Sequence, residues 1–344
     1  MPQVSRKHHT VPKFYLKGFA NDAGRIGTVR LTGKHRFVQP IGDASTQKDF
    51  YATPGHDDGP DAFERQLSAM EADASKVIRK IADKGVWPLT TDDRDTLVVF
   101  LTLQFLRGPD RRRKMEQMMS VMTRMEIGFG GKDGVAAWAQ RRGGKTISEE
   151  EAARIWEEAT RAGGPTIDIS PAAHIQHLLD LLPKFVPYFA GRPWALFRFQ
   201  RRSLLTCDTP ISLLPRAIRE GTDPALPPLG IGLATAWGIS VPLTRSIGLM
   251  LANPEPMFGE VTAGDVATGR FDITQPPSSR AARTFNWATL NNAREWIFHH
   301  PDDAALVPQD LPEPTSEEID VSDVPKEFTG EPLHKTARTQ GSAD

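Results

Sequence analysis

The segment His-His-Thr-Val-Pro-Lys-Phe-Tyr-Leu-Lys-Gly-Phe-Ala, residues 8–20, places two imidazoles directly ahead of a proline and an aromatic cluster. Imidazole is a metal ligand and, with an ordinary pKa of about 6.5, a proton carrier at neutral pH. Neighbouring side chains of an extended segment point to opposite sides, so only one of His8 and His9 faces a given site. One reading makes that histidine a ligand or a base. The other makes the pair an N-terminal anchor, with one ring packed under Phe14, Tyr15 and Phe19 and its nitrogens on backbone partners.

Carboxylates supply the complement. Glu64 and Glu71 stand seven residues apart in a stretch with helical spacing, hence nearly aligned and about 10 Å apart along the axis. Gln104 and Arg107 are three apart in Phe-Leu-Thr-Leu-Gln-Phe-Leu-Arg-Gly-Pro, residues 100–109. Apolar residues surround that helix, so the two share a face and are predicted to be buried. A buried guanidinium demands a counter-charge, and Glu71 or Glu64 is the expected acceptor. Such a set is either a structural ion-pair network or a catalytic one, in which Glu71 works with Gln104 and Arg107. Asp208 closes a predicted strand, and the Thr209-Pro210 continuation forces a turn. Its carboxylate either caps an Asx-turn or joins His8, His9 and Glu64 as ligand to a divalent metal.

Other patterns carry less. Ala-Gln-Arg-Arg-Gly-Gly-Lys-Thr at residues 139–146 approximates a phosphate-binding loop, but a helical stretch precedes it where a buried strand is needed, so Lys145 reads as solvated. His9, Asn21 and His35 follow the order of a ββα-metal nuclease, yet Asn21 is explained by the Asn-Asp-Ala-Gly turn and His35 by an exposed hairpin. Arg294 and His299 have the Arg-x4-His spacing of some helical RNases and fall on a predicted helix, while Arg30 and His35 repeat the spacing on a strand. The basic run Arg111–Lys114 reads as a solvated helix start, with phosphate contact the lesser reading.

The elements that must position these residues follow from periodicity. Phe63, Leu67, Met70, Ala74, Val77, Ile78 and Ile81 keep one helical face from Pro60 to Lys84, and Gly85 ends it. A second helix starts in Leu-Thr-Thr-Asp-Asp-Arg-Asp and stops at Gly108-Pro109, and a third follows. Residues 128–168 read as an exposed lid or insertion with a short amphipathic helix. The helix from residue 172 is predicted to be interrupted at Pro183 and Pro187. Arg-Ile-Gly-Thr-Val-Arg-Leu and His-Arg-Phe-Val-Gln-Pro are expected to pair in a small N-terminal sheet. In the second half, Trp-Ala-Leu-Phe-Arg-Phe-Gln with Leu-Leu-Thr-Cys-Asp, and Trp-Gly-Ile-Ser-Val-Pro-Leu with Ile-Gly-Leu-Met-Leu-Ala, are expected to form antiparallel hairpins. Residues 278–300 return to helix, and from Pro301 to Asp344 composition predicts a disordered Pro-rich, acidic tail. The expected fold is α+β, mostly helical, with residues 1–300 as a single domain.

Four stretches together resemble a known family: residues 8–20, residues 63–78, residues 100–109, and Leu-Leu-Thr-Cys-Asp-Thr-Pro-Ile-Ser-Leu-Leu followed by Ser-Val-Pro-Leu-Thr-Arg-Ser-Ile-Gly-Leu-Met-Leu. Their order and spacing are similar to the bacterial domain-of-unknown-function family numbered 4238, whose members open with His-His-x-x-Pro-x-Phe-Tyr-Leu and carry Ser-Asp-x-Pro late. The closing Asn-Asn-Ala-Arg-Glu-Trp-Ile-Phe-His-His also resembles that family. Cys207 stands where the family usually has serine. The resemblance implies no activity.

Composition narrows the function classes. With 42 Lys+Arg against 43 Asp+Glu, the chain has no global basic field for nucleic acid or an anionic surface. No apolar run is long enough for a membrane span and no secretory leader is visible, so a cytoplasmic protein without membrane contact is expected. The one cysteine excludes an intrachain disulfide and a cysteine-based zinc site. The leading expectation is a metal-assisted, nuclease-like hydrolase of phosphodiesters, with nucleic acid as partner. The alternative is a non-enzymatic binding or scaffold module whose polar residues form a buried network.

Overall fold

A computed structural model describes residues 6–53, 55, 57–161, 164–216, 231–257, 259–313 and 328–332. The chain divides into two compact units, residues 1–109 with 171–315, and residues 110–170 with 316–344.

The first unit begins with strand β1 (Lys7–His9) and the single-turn helix α1 (Lys13–Lys17). Strands β2 (Arg25–Arg30) and β3 (Arg36–Pro40) form the expected hairpin, and β4 (Thr46–Lys48) returns to pair with β1, setting His8 opposite Gln47 and His9 opposite Thr46. Helix α2 (Ala62–Lys84) buries the predicted stripe, and Gly85 closes it in a left-handed conformation. Thr90 caps α3 (Thr91–Leu106) by accepting the Asp93 N–H, and α3 is buried nearly all round.

The second unit holds α4 (Pro109–Gly130), a 3-10 turn at Lys132–Gly134, α5 (Val135–Gly143) and α6 (Glu149–Thr160). Ser148 caps α6, whose first turn carries three glutamates where the helix dipole favours negative charge. The small core of this unit comprises Ile127, Val135, Trp156 and Ala159. Helix α5 precedes Lys145, so a strand-born phosphate loop is not formed there.

Back in the first unit, α7 (Pro171–Ala190) runs unbroken through Pro183 and Pro187, contrary to expectation. Each proline removes one helical N–H. Burial of Ile175, Leu178 and Phe189, with Leu181, Leu182, Phe185 and Val186 partly buried against the same core, outweighs that loss.

Strands β5 (Trp194–Arg198), β6 (Thr206–Cys207), β7 (Ser212–Leu214), β8 (Gly238–Thr244) and β9 (Ile247–Ala252) follow. After the short helix α8 (Ala263–Ala267) come β10 (Ile273–Gln275), α9 (Ser279–Asn292) and β11 (Trp296–His299). One sheet has the order β10-β5-β9-β8-β7, antiparallel except for the β10–β5 pair, and another the order β3-β2-β11-β6. The β8–β9 hairpin is the predicted one. β5 and β6, expected to pair, lie in different sheets.

The departures share a cause. The Leu205 N–H donates to Asn286 Oδ1 at 2.9 Å, drawing β6 to α9 rather than back to β5. Asp208, directly after β6, accepts the backbone N–H groups of Arg294, Glu295 and Trp296 at 2.9, 2.7 and 3.1 Å. The predicted long helix therefore ends at Asn292, and its last residues become β11. Arg294 and His299 are consequently not on a helix, and the RNase-like spacing has no helical basis. Beyond β11 the chain stays ordered where disorder was expected: Pro301–Leu306 form a 3-10 turn and Val307 is buried against Val29, Leu31, Leu205, Cys207, Ala293 and Ile297. Residues 314–327 and 333–344 of the expected tail lie outside the described residues.

A buried ion pair ties these elements. Arg94 donates from Nε to Asp272 at 2.8 Å, from Nη1 to the carbonyls of Ala190 and Ala267 at 3.0 Å each, and from Nη2 to that of Arg192 at 2.8 Å. Its guanidinium carbon stands 4.3 Å from the centre of the Trp194 ring. Asp272 also accepts the Trp194 N–H at 2.9 Å, which fixes the start of β5. Among the described residues no helix is long and apolar enough to cross a membrane. Replacing Asp272→Ala leaves a fully buried cation without its counter-charge, and urea denaturation should show a loss of roughly 3–5 kcal/mol.

Candidate functional site

The opening histidines are held at the seam of β1, β4, α2 and α3. His8 is sealed: its Nδ1 accepts the Tyr51 N–H at 2.8 Å and its ring stacks on that of Tyr51. An accepting Nδ1 places the proton of the neutral ring on Nε2. Two residues on, Thr10 is fixed through its backbone, its N–H donating to the Ser45 carbonyl at 3.0 Å. The Thr10 carbonyl accepts from Gln104 Nε2 at 3.0 Å and from Arg107 Nε at 3.1 Å.

Gln104 and Arg107 are thus buried and convergent, as their spacing implies, although Arg107 is the residue that closes α3 rather than an interior one. Arg107 has no exposed surface, and its Nη1 donates to Glu71 Oε1 at 2.6 Å. The Tyr51 hydroxyl donates to the Arg107 carbonyl at 3.2 Å. Histidine strand, Tyr51, Arg107 and α2 therefore form one connected set.

Glu64, on the same helix as Glu71, is half-buried. Burial first, and then the negative charge of Glu71, pushes its carboxyl up to about 7, with Arg107 pulling the other way. His9, also half-buried, is pushed down to about 4, chiefly by burial, then by the charge of Lys13 and, more weakly, of Arg107. It is neutral at physiological pH. Burial raises Tyr51 out of the titrating range altogether. Four atoms of this set have no hydrogen-bond partner among the described residues: His9 Nδ1, Glu64 Oε2, Gln104 Oε1 and Arg107 Nη2. Buried polar atoms are nearly always matched, so four exceptions in one connected set make it the candidate site.

Of the residues singled out by sequence, His8, His9, Glu64, Glu71, Gln104 and Arg107 come together. Asp208 does not serve the metal role: its carboxylate is occupied by the three N–H groups that start β11. Among the described residues no three His, Cys, Asp or Glu side chains are placed to hold a metal ion, so the expected ligand set of His8, His9, Glu64 and Asp208 does not converge. Asn21 accepts the Arg25 N–H within its turn and His35 is exposed, so the nuclease-like triad is not assembled either. Sequence reasoning missed Tyr51 and Thr10. Thr10 contributes a carbonyl, which side-chain patterns do not mark, and Tyr51 follows a segment without periodicity.

Arg107→Ala would leave the Glu71 carboxylate without its cation and the Thr10 carbonyl with Gln104 alone, and chemical denaturation should register a loss of about 3 kcal/mol or more. The pH dependence separates the two titrating groups. Glu64, raised from 4.5 to about 7, contributes stability that is complete below pH 4.5 and lost as pH rises through about 7. His9, lowered from 6.5 to about 4, contributes stability present above pH 6.5 and lost as pH falls through about 4. The stability difference between wild type and Glu64→Gln, from urea midpoints at successive pH values, should therefore move against wild type from pH 4.5 to about 7 and then level.

No match was found among curated proteins, and none among solved structures. A family model, described as a protein of unknown function (DUF4238), matches residues 7–303, which span β1 to the turn after β11 and include every residue of the cluster. The chain that builds this histidine, carboxylate and arginine cluster belongs to the DUF4238 family.

Proposed function

We propose that this chain is a hydrolase acting on phosphodiesters, nucleic acid being the polymeric substrate of that class, by acid–base chemistry at the cluster around Arg107. The observation that carries the reading is the pair of carboxyl groups on α2, Glu71 bonded to Arg107 and Glu64 raised by burial, with the neutral His9 of β1 and its unmatched ring nitrogen in the field of the same guanidinium. Paired carboxyl groups whose environments differ divide naturally into acid and base. Acid–base chemistry is favoured over the metal-assisted route because Asp208, the fourth expected ligand, is committed to β11.

Glu64 keeps its proton up to about pH 7 and donates it to the leaving oxygen. Glu71, bonded to Arg107, takes a proton from the attacking water. The water oxygen bonds to phosphorus as the bond to the leaving oxygen breaks, and the two proton transfers balance. His9 Nδ1 orients the water, and Lys13, the exposed cation beside His9, meets the phosphate charge. Arg107 and Gln104 act as positioning residues, since both are buried and reach the site through Glu71 and the Thr10 carbonyl.

One observation favours a second reading, that of a binding or scaffold module. Arg107 is wholly enclosed, and its bonds to Thr10 and Glu71 anchor the N-terminal segment. Hydrolysis of bis(p-nitrophenyl) phosphate and of single-stranded DNA and RNA, followed from pH 5 to 9 with and without EDTA, separates the two. The hydrolase reading expects turnover that survives EDTA, declines as pH rises through about 7, and falls on the order of 100-fold in a folded Glu64→Gln variant. Folded wild type that hydrolyses none of these substrates leaves the scaffold reading.

A further inference from the structure

In the second unit, Phe328-Thr-Gly-Glu-Pro332 lies against the end of α4, the 3-10 turn and α6. The Phe328 ring meets Trp156 edge-on with centroids 6.2 Å apart, and the Arg124 guanidinium carbon stands 4.9 Å from its centre. The Lys132 N–H donates to the Gly330 carbonyl at 2.8 Å. Exposure alternates along the five residues: Phe328, Gly330 and Pro332 are half-buried, whereas Thr329 and Glu331 are exposed. The segment is thus read through every second residue, with a bend at its central glycine.

Both sides of the contact are shaped for it. Gly131 has φ of 67°, and a Cβ there would lie 2.8 Å from the Pro332 nitrogen and 2.9 Å from the Gly330 carbonyl oxygen, so only glycine lets the segment approach. Gly330 has φ of 90°, which a side-chain-bearing residue adopts only under strain. The requirement is therefore an aromatic ring at the first position, glycine at the third and proline at the fifth. The stretch that leads to this segment, residues 308–327, contains four prolines and only four aliphatic residues, Leu311, Ile319, Val321 and Val324.

We propose that this surface is a docking site for peptide segments of the pattern Phe-x-Gly-x-Pro, and that the chain's own Phe328–Pro332 is its tethered, displaceable occupant. The site is independent of the hydrolase reading. Tethering gives the resident segment an effective concentration on the order of millimolar, so a free peptide competes at a disadvantage until the resident anchor is removed.

The test uses the full chain and a fluorescently labelled peptide covering residues 325–334. In fluorescence polarisation the Phe328→Ala chain should bind the peptide saturably, and wild type at least about tenfold more weakly. A peptide with alanine in place of the phenylalanine should not bind. Equal affinity for both chains would put the peptide elsewhere, and absence of binding to a folded Phe328→Ala chain would remove the site. A Phe328→Ala chain that loses the helical circular dichroism of the second unit would also overturn the proposal, since the segment would then be core and not occupant. A Gly131→Val chain combined with Phe328→Ala checks the seat: the proposal requires it to fold and to lose the peptide, and retained affinity contradicts it.

Discussion

A fully buried guanidinium cannot be left alone, and much of the first unit is arranged around satisfying one. Arg107 closes α3, and its Nε and Nη1 reach the Thr10 carbonyl and Glu71. Those bonds seat the strand that carries His8 and His9, set the rotation of α2 against α3, and hold Glu71 beside Glu64. Tyr51 completes the ring of contacts by joining the Arg107 carbonyl to His8. An uncompensated charge at that depth would cost several kcal/mol, so the N-terminal segment is bound into the fold and not merely laid upon it.

Arg94 provides the comparison within the same molecule. It is as deeply buried, and every nitrogen of its guanidinium has a partner within the network of Asp272 and three carbonyls, with Trp194 stacked on its face. Nothing in that network is left over, and it reads as architecture. The Arg107 set differs by its unmatched atoms and by the opposed shifts of Glu64 and His9. A half-satisfied polar network is costly to keep, and proton chemistry is a reason to keep one.

Helices and local hairpins were legible because their signals are local. The stripe from Phe63 to Ile81, the glycine at its end, the β2–β3 and β8–β9 hairpins and the pairing of Arg107 with Glu71 all follow from spacing and charge. What escaped depends on partners distant in sequence. Asp208 spends its carboxylate on backbone N–H groups 86 to 88 residues away, which turns a predicted helix end into β11 and removes a predicted metal ligand. Pro183 and Pro187 ride inside α7 because packing outweighs two missing donors. The role of Arg94 was equally hidden, since most of its acceptors are carbonyls of other elements.

The central claim is that Glu64 and Glu71 form one coupled site organised by Arg107. The most direct measurement is an NMR titration of the Glu64 side-chain carboxyl carbon in the intact chain and in Glu71→Gln. The account predicts a midpoint near 7 in wild type and a lower one in the variant, where the charge that adds to burial is gone. An ordinary glutamate midpoint in both chains would contradict it, because Glu64 would then be solvated and independent of its neighbour.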